Sequence, residues 1–293
     1  MSEDEPVNSL GQFTERVRRR REFWNLPRHK ELWFRGESKD YGPTILRPEL
    51  YRPAEGVALK PIWKLLTIEN DLYEEFQRNA VERSSERTSE EDWDWDSYFL
   101  MQHHNGPTRL LDWSDGGLMA LHFAVRNKVD DKSPALVYVL EPHRLSEKLR
   151  LLDEVRRHED TWKTYVASHL SYGLKEHLWE DVYLPDDEET RNEIKLPCPP
   201  LVLDFELITR RIAAQRSRFI VFGMEPNWLS KEVGDSESTI KPITIAAEAR
   251  PRIRQELRDC GITESVIYPD LDGLGREIRQ LWEDRRAAAE ENV

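Results

Sequence analysis

The segments of this chain that could form strands are short, and they are scattered between helical stretches of unequal length. Ala135–Leu140 is an unbroken apolar run of strand length, as expected of a central strand covered on both faces. Residues 31–35, 201–205, 218–222 and 241–245 read as further strands, the first ended by Gly36, and residues 266–268 as a short extended piece. A regular βαβ array needs strands and helices in even alternation. The irregular order here instead predicts an α+β fold, with small mixed or antiparallel sheets and flanking helices. Segments 31–35, 135–140 and 218–222 are expected in one core sheet or in two packed small ones.

Helical periodicity is plainest over residues 59–80, where Ile62, Leu65, Leu66, Leu72 and Phe76 form an apolar stripe. Residues 9–24 read as a helix capped by Asn8 or Ser9, with Phe13, Val17 and Trp24 on one side. Further helices are read over 95–104, 115–127, 206–215, 248–260 and 273–286, with helical patterns also running from the 135–140 strand to about Trp179. Pro251 is tolerated in a first turn, and Asp270 or Asp272 suits an N-cap. Residues 39–53 are rich in Gly and Pro and read as an ordered loop, whereas the charged stretches 82–94 and 185–200 are expected to be mobile.

The chain has 293 residues, 38% hydrophobic and 34% charged, which is polar for a packed protein. Ten Trp, nine Tyr and nine Phe supply large burial areas and argue for a packed core with long charged connections. No apolar run approaches the length needed to cross a bilayer, and MSEDEPVNSL lacks the basic start and apolar stretch of a secretory signal. With only Cys198 and Cys260, read as reduced, half-buried thiols, the expectation is a cytoplasmic protein with no membrane partner. A net charge of −13 opposes nucleic acid and anionic surfaces overall. The basic run Arg16, Arg18, Arg19, Arg20, Arg21 reads as a solvated helix face.

Motifs for a P-loop, a dinucleotide-binding Gly fingerprint, a nucleophile elbow or a zincin helix are absent from the sequence. Two segments carry the chemistry instead. In the strand at Trp33-Phe34-Arg35-Gly36, Trp33 and Arg35 share one face. An aromatic plane beside a guanidinium, followed by glycine, suits a nucleotide, with the ring stacking and the fork holding phosphate. The other reading is a buried structural arginine paired with a carboxylate. The second segment, residues 102–113, interleaves Gln102, His103, His104, Asn105, Thr108, Arg109 and Asp112 with Leu110, Leu111 and Trp113. It cannot be freely solvated, so its polar groups must satisfy one another or a ligand. Adjacent histidines rarely converge on one ion, and no metal is expected. Arg211 and Gln215 lie one helical turn apart.

Phe34-Arg35-Gly36, then Gln102-His103, the Pro-Thr-Arg-Leu-Leu-Asp-Trp run at 107–113, Ala120-Leu121-His122-Phe123-Ala124, Arg211, Gln215 and Phe219, and the closing 269–273 segment together resemble the FRG domain family. The resemblance spans about residues 9–285 and implies one domain over 1–293, with Glu37 standing where that family frequently has Gln. The layout is in turn similar to the ADP-ribosyltransferase superfamily. That resemblance implies a split core with an NAD cleft between small sheets, and a protein that uses NAD to modify a protein or nucleic-acid acceptor in bacterial stress or antiphage defence. It implies that Arg35 and Gly36 hold the nucleotide with Trp33, Thr108, Arg109 and Trp113, while Asp112, Gln215 and His103 serve catalysis. The alternative is a non-catalytic nucleotide-sensing or protein-interaction module.

Overall fold

The computed structural model describes residues 5–80, 95–127, 132–169, 179–186, 195–203, 216–233 and 237–290. The expected helix over 206–215, the loop at 82–94 and much of that at 185–200 lie outside them. The fold is α+β, built on one antiparallel sheet flanked by helices. The strands are β1 (Trp33–Glu37), β2 (Leu110–Ser114), β3 (Ala135–Leu140), β4 (Leu201–Leu203), β5 (Ser217–Val221) and β6 (Ile240–Ile245), and their spatial order is β4-β5-β2-β1-β3-β6.

The sheet is stitched unevenly. β1 runs beside β3 from Trp33 opposite Leu140 to Glu37 opposite Leu136, and β2 beside β5 from Leu110 opposite Val221 to Ser114 opposite Ser217. Between β1 and β2 the register has a single pair, Phe34 with Ser114. Among the described residues, the six strands therefore form two three-stranded halves joined at one point. A sheet whose central strands part in this way leaves backbone groups that side chains must satisfy.

Alternation along the strands sends side chains to two faces. On one face, Trp33, Leu111, Trp113, Tyr138, Leu140 and Ile220 pack against Leu46, Leu50, Tyr51 and α5 (Pro142–Arg150). The opposite face carries two separate clusters. Phe34, Val137, Val139 and Ile243 pack under α1 (Leu10–Phe23), α4 (Gly117–Val125) and the Arg250–Asp259 helix. Leu110, Phe219 and Val221 pack under α3 (Trp95–His103) and Tyr73 of α2 (Ile62–Ala80). The seam between the halves lies between these two helical covers.

Several local expectations change. Gly36 does not end β1 but pairs with Val137 inside it. A Cβ there would stand 1.9 Å from the Ala120 carbonyl oxygen, so the glycine lets α4 sit directly on the strand. In α2 the buried face runs through Leu65, Leu66, Glu69 and Tyr73, while Leu72 is 38% exposed. Val266 belongs to a short helix, Glu264–Ile267, and not to an extended segment. Both cysteines are exposed. The basic run on α1 is only half solvated. Arg16 and Arg20 are buried, donating to the carbonyls of Glu5 and Pro242, because a guanidinium can satisfy loose backbone oxygens beneath a helix. Among the described residues, no helix is long and apolar enough to cross a membrane.

Candidate functional site

At the seam the Arg35 guanidinium reaches across from β1 to β2. Its Nη1 donates to the Asp112 carbonyl oxygen at 2.7 Å, and its Nε to Glu37 Oε1 at 3.1 Å. The two sequence segments thus meet, although the bond joins residues 77 positions apart. Arg35 supplies the backbone partner that a missing ladder would have given. It also lines a cavity of about 400 Å³ with Gly36, Glu37, Arg52, Gln102, His103 and Asp112. Phe34, Phe99, Trp113, Phe123, Phe219 and Tyr268 contribute aromatic surface to the same cavity.

Asp112 is the exposed position in an otherwise buried β2, so its carboxylate faces the cavity while its neighbours pack. Gln102 Nε2 donates to Asp112 Oδ2 at 2.9 Å, and the amide oxygen of Gln102 takes the hydroxyl of Thr108. Thr108 Oγ1 in turn accepts from the Leu110 amide at 3.1 Å. A buried hydroxyl and an amide therefore fix the Asp112 carboxylate in one direction.

Glu37, which alternation places on the same side of β1 as Arg35, takes a second guanidinium on the same oxygen. Arg52 Nη2 donates to Glu37 Oε1 at 3.2 Å. Arg52 also lies over the Tyr41 ring, 4.9 Å from its centroid. Burial, followed by the nearby charge of Arg35, holds the Arg52 pKa below its ordinary value. Arg126, which also lines the cavity, sits over Phe123 and Tyr268 and donates to the Tyr268 hydroxyl at 2.8 Å.

The structure places other sequence-marked residues elsewhere. Arg109 is fully buried and away from the cavity. Its Nε donates to Glu69 Oε2 at 2.5 Å, and Nη1 and Nη2 to the carbonyls of Phe222 and Tyr183 at 3.1 and 2.6 Å. Its amide and the Tyr98 hydroxyl both donate to Glu69 Oε1. Burial works against the Arg109 charge, and Glu69 outweighs it, so the guanidinium pKa is raised. Trp33 is 2% exposed in the core, its indole N–H held by Glu31 at 2.6 Å, so it offers the cavity no stacking face. Thr108 acts through Gln102 and not on the cavity directly. Trp113 is buried in the same core as Trp33, yet it also lines the cavity. Arg211 and Gln215 lie outside the described residues. Among the described residues, no three metal-ligating side chains cluster.

Residues 30–133 match the family model of the FRG domain. The chain carries an FRG domain. No curated protein matches the chain, and no solved structure does. The FRG segment holds β1, α2, α3, β2 and α4, hence both sides of the seam and most of the cavity wall; Ser217, Phe219 and Tyr268 come from outside it. Glu37, Arg52 and Arg126 were not singled out as site residues by sequence reasoning. Period-two alternation from Arg35 marks Glu37. No comparable local signal marks Arg52 or Arg126, which reach the site through a loop and a helix end.

Proposed function

We propose that the seam cavity of the FRG domain binds NAD, and that the protein transfers ADP-ribose from it to a macromolecular acceptor. The observation that carries this reading is the placement of Arg35. It bridges the parted strands and lines an aromatic cavity of about 400 Å³ together with Arg52 and Arg126. Three guanidinium groups against the carboxylates of Glu37 and Asp112 leave a site suited to an anion, and planar forks suit phosphate oxygens. The aromatic walls suit a base or nicotinamide ring.

In the transfer, the bond between the ribose C1′ and the nicotinamide nitrogen breaks, and its electron pair leaves with neutral nicotinamide. A nucleophilic atom of the acceptor bonds to C1′ and gives up its proton to a base. The passing sugar cation is oxocarbenium-like, and a fixed carboxylate favours it. Asp112, aimed by Gln102, is the residue assigned to that role, with His103 at the cavity edge as the proton acceptor. Incubating the protein with NAD labelled in its adenylate half and with cell lysate tests the reading. Label on protein or nucleic acid, lost in Asp112→Asn, supports transfer. Binding of NAD without any labelled product supports a nucleotide-sensing module, and absence of both overturns the reading.

A further inference from the structure

The buried carboxylate of Glu37 is satisfied on one side only. Oε1 accepts from both Arg35 and Arg52, whereas Oε2 meets no donor among the described residues, although the side chain is 2% exposed. The indole N–H of Trp113, on the same cavity wall, is buried and finds no acceptor among them. Buried polar groups are nearly always paired, so each such gap calls for a partner. Here two residues that line one cavity carry an unmet acceptor and an unmet donor. A hydroxyl or a carboxamide carries both complements. An ionised carboxylate or a phosphate on the ligand does not, since it would meet Glu37 with like charge.

We propose that Glu37 is the specificity-determining residue of the cavity, its second oxygen accepting a hydrogen bond from a neutral ligand donor, either a ribose hydroxyl or a carboxamide N–H. This inference rests on the reading of the cavity as a nucleotide site. It divides the work at the seam, with Arg35, Arg52 and Arg126 supplying charge for an anion and Glu37 reading the uncharged part. The shared Oε1 also fixes the carboxylate plane, so the free oxygen has one direction in which to accept.

The test is calorimetric binding of NAD, of NAD analogues lacking one nicotinamide-ribose hydroxyl, and of nicotinic acid adenine dinucleotide, to the parent and to Glu37→Gln, with melting temperatures for both proteins. Glutamine keeps an oxygen for the two arginines but presents an amide N–H in place of the free oxygen. The expected result is that the parent binds one analogue about tenfold more weakly than NAD, and that Glu37→Gln no longer separates the two. The hydroxyl analogues and the acid analogue distinguish the two donor sources. A parent that binds NAD and every analogue equally overturns the inference, whether or not the variant folds. A folded Glu37→Gln with the parent's preference overturns it too, and in both cases NAD binding itself stands. A parent that binds no NAD at millimolar concentration overturns the NAD reading and this inference together.

Discussion

Arg35 lies in β1 and Arg109 directly precedes β2, and both belong to polar clusters conspicuous in the sequence, yet the structure treats them oppositely. Arg109 is sealed under α2 and α3, with Glu69 and two backbone carbonyls filling its fork. Arg35 is bonded too, but at a cavity wall, to a carboxylate it shares and to a carbonyl left over by a parted ladder. A completely enclosed charge contributes through the structure it holds, because losing its partner leaves an uncompensated ion in the interior. A charge at an open wall keeps donors that a ligand can compete for. The difference lies in what closes over each guanidinium, and residue type does not carry it.

The comparison is broken most forcefully at the sealed end. Arg109→Ala, or Glu69→Ala, should lower stability by about 3–5 kcal/mol in urea denaturation, since either change strands a buried charge. A variant with the parent's melting temperature would remove Arg109 from the structural class. Next in size is Gly36→Ala. Its Cβ would fall on the Ala120 carbonyl, and backbone on both sides must shift. The expected loss is at the upper end of roughly 1–3 kcal/mol, read by the same denaturation.

At the open end, Arg35→Ala should weaken NAD binding about tenfold to a hundredfold, with Arg35→Lys restoring only part of it. The melting temperature should fall far less than in Arg109→Ala. The Asp112 carboxylate is held by Gln102, and the buried Glu37 that Arg35 shares keeps Arg52, so the change leaves no buried acid without a cation. Equal destabilisation of the two alanine variants would erase the contrast.

The smallest effect sharpens the contrast with a third ion pair. Glu264 accepts from His122 at 3.0 Å and from Arg276 at 3.2 Å. Burial pushes its pKa up, and these bonds more than reverse that, bringing it from 4.5 to about 2. A depressed folded-state pKa means that the stabilisation is complete above pH 4.5 and is lost as pH falls from there toward 2. Melting temperature should therefore drop across that window, and Glu264→Gln should flatten the drop. An identical pH profile in the variant would exclude this pair as its source.

Much of the frame was legible because it rests on local pattern. Alternation and apolar runs located β1, β3, β4, β5 and β6 to within a few residues but missed β2, whose residues stood out only as part of a polar cluster, and the cap at Ser9 follows from its short hydroxyl, which accepts from the Gln12 amide. The crowding of polar residues among leucines at 102–113 also foretold a mutual network, seen in the chain from Thr108 through Gln102 to Asp112. Glu69 shows where pattern fails. On a helix it reads as a gap in the apolar stripe, yet it is fully buried, because a cation 40 positions away reaches it.

The sequence by itself determined the α+β class, the α2 helix, the strand core at 135–140 and the polar segment at 102–113 whose groups had to find partners. Each follows from short-range periodicity or from the cost of burying unpaired polar groups. Only the tertiary structure decided that β1 and β2 part after one pair, that Arg35 spans the gap while Arg109 is enclosed, and that Glu37 and Arg52 join the site. Those outcomes depend on which element covers which face of the sheet. Coverage is set by packing between residues far apart in the chain, about which local spacing carries no information.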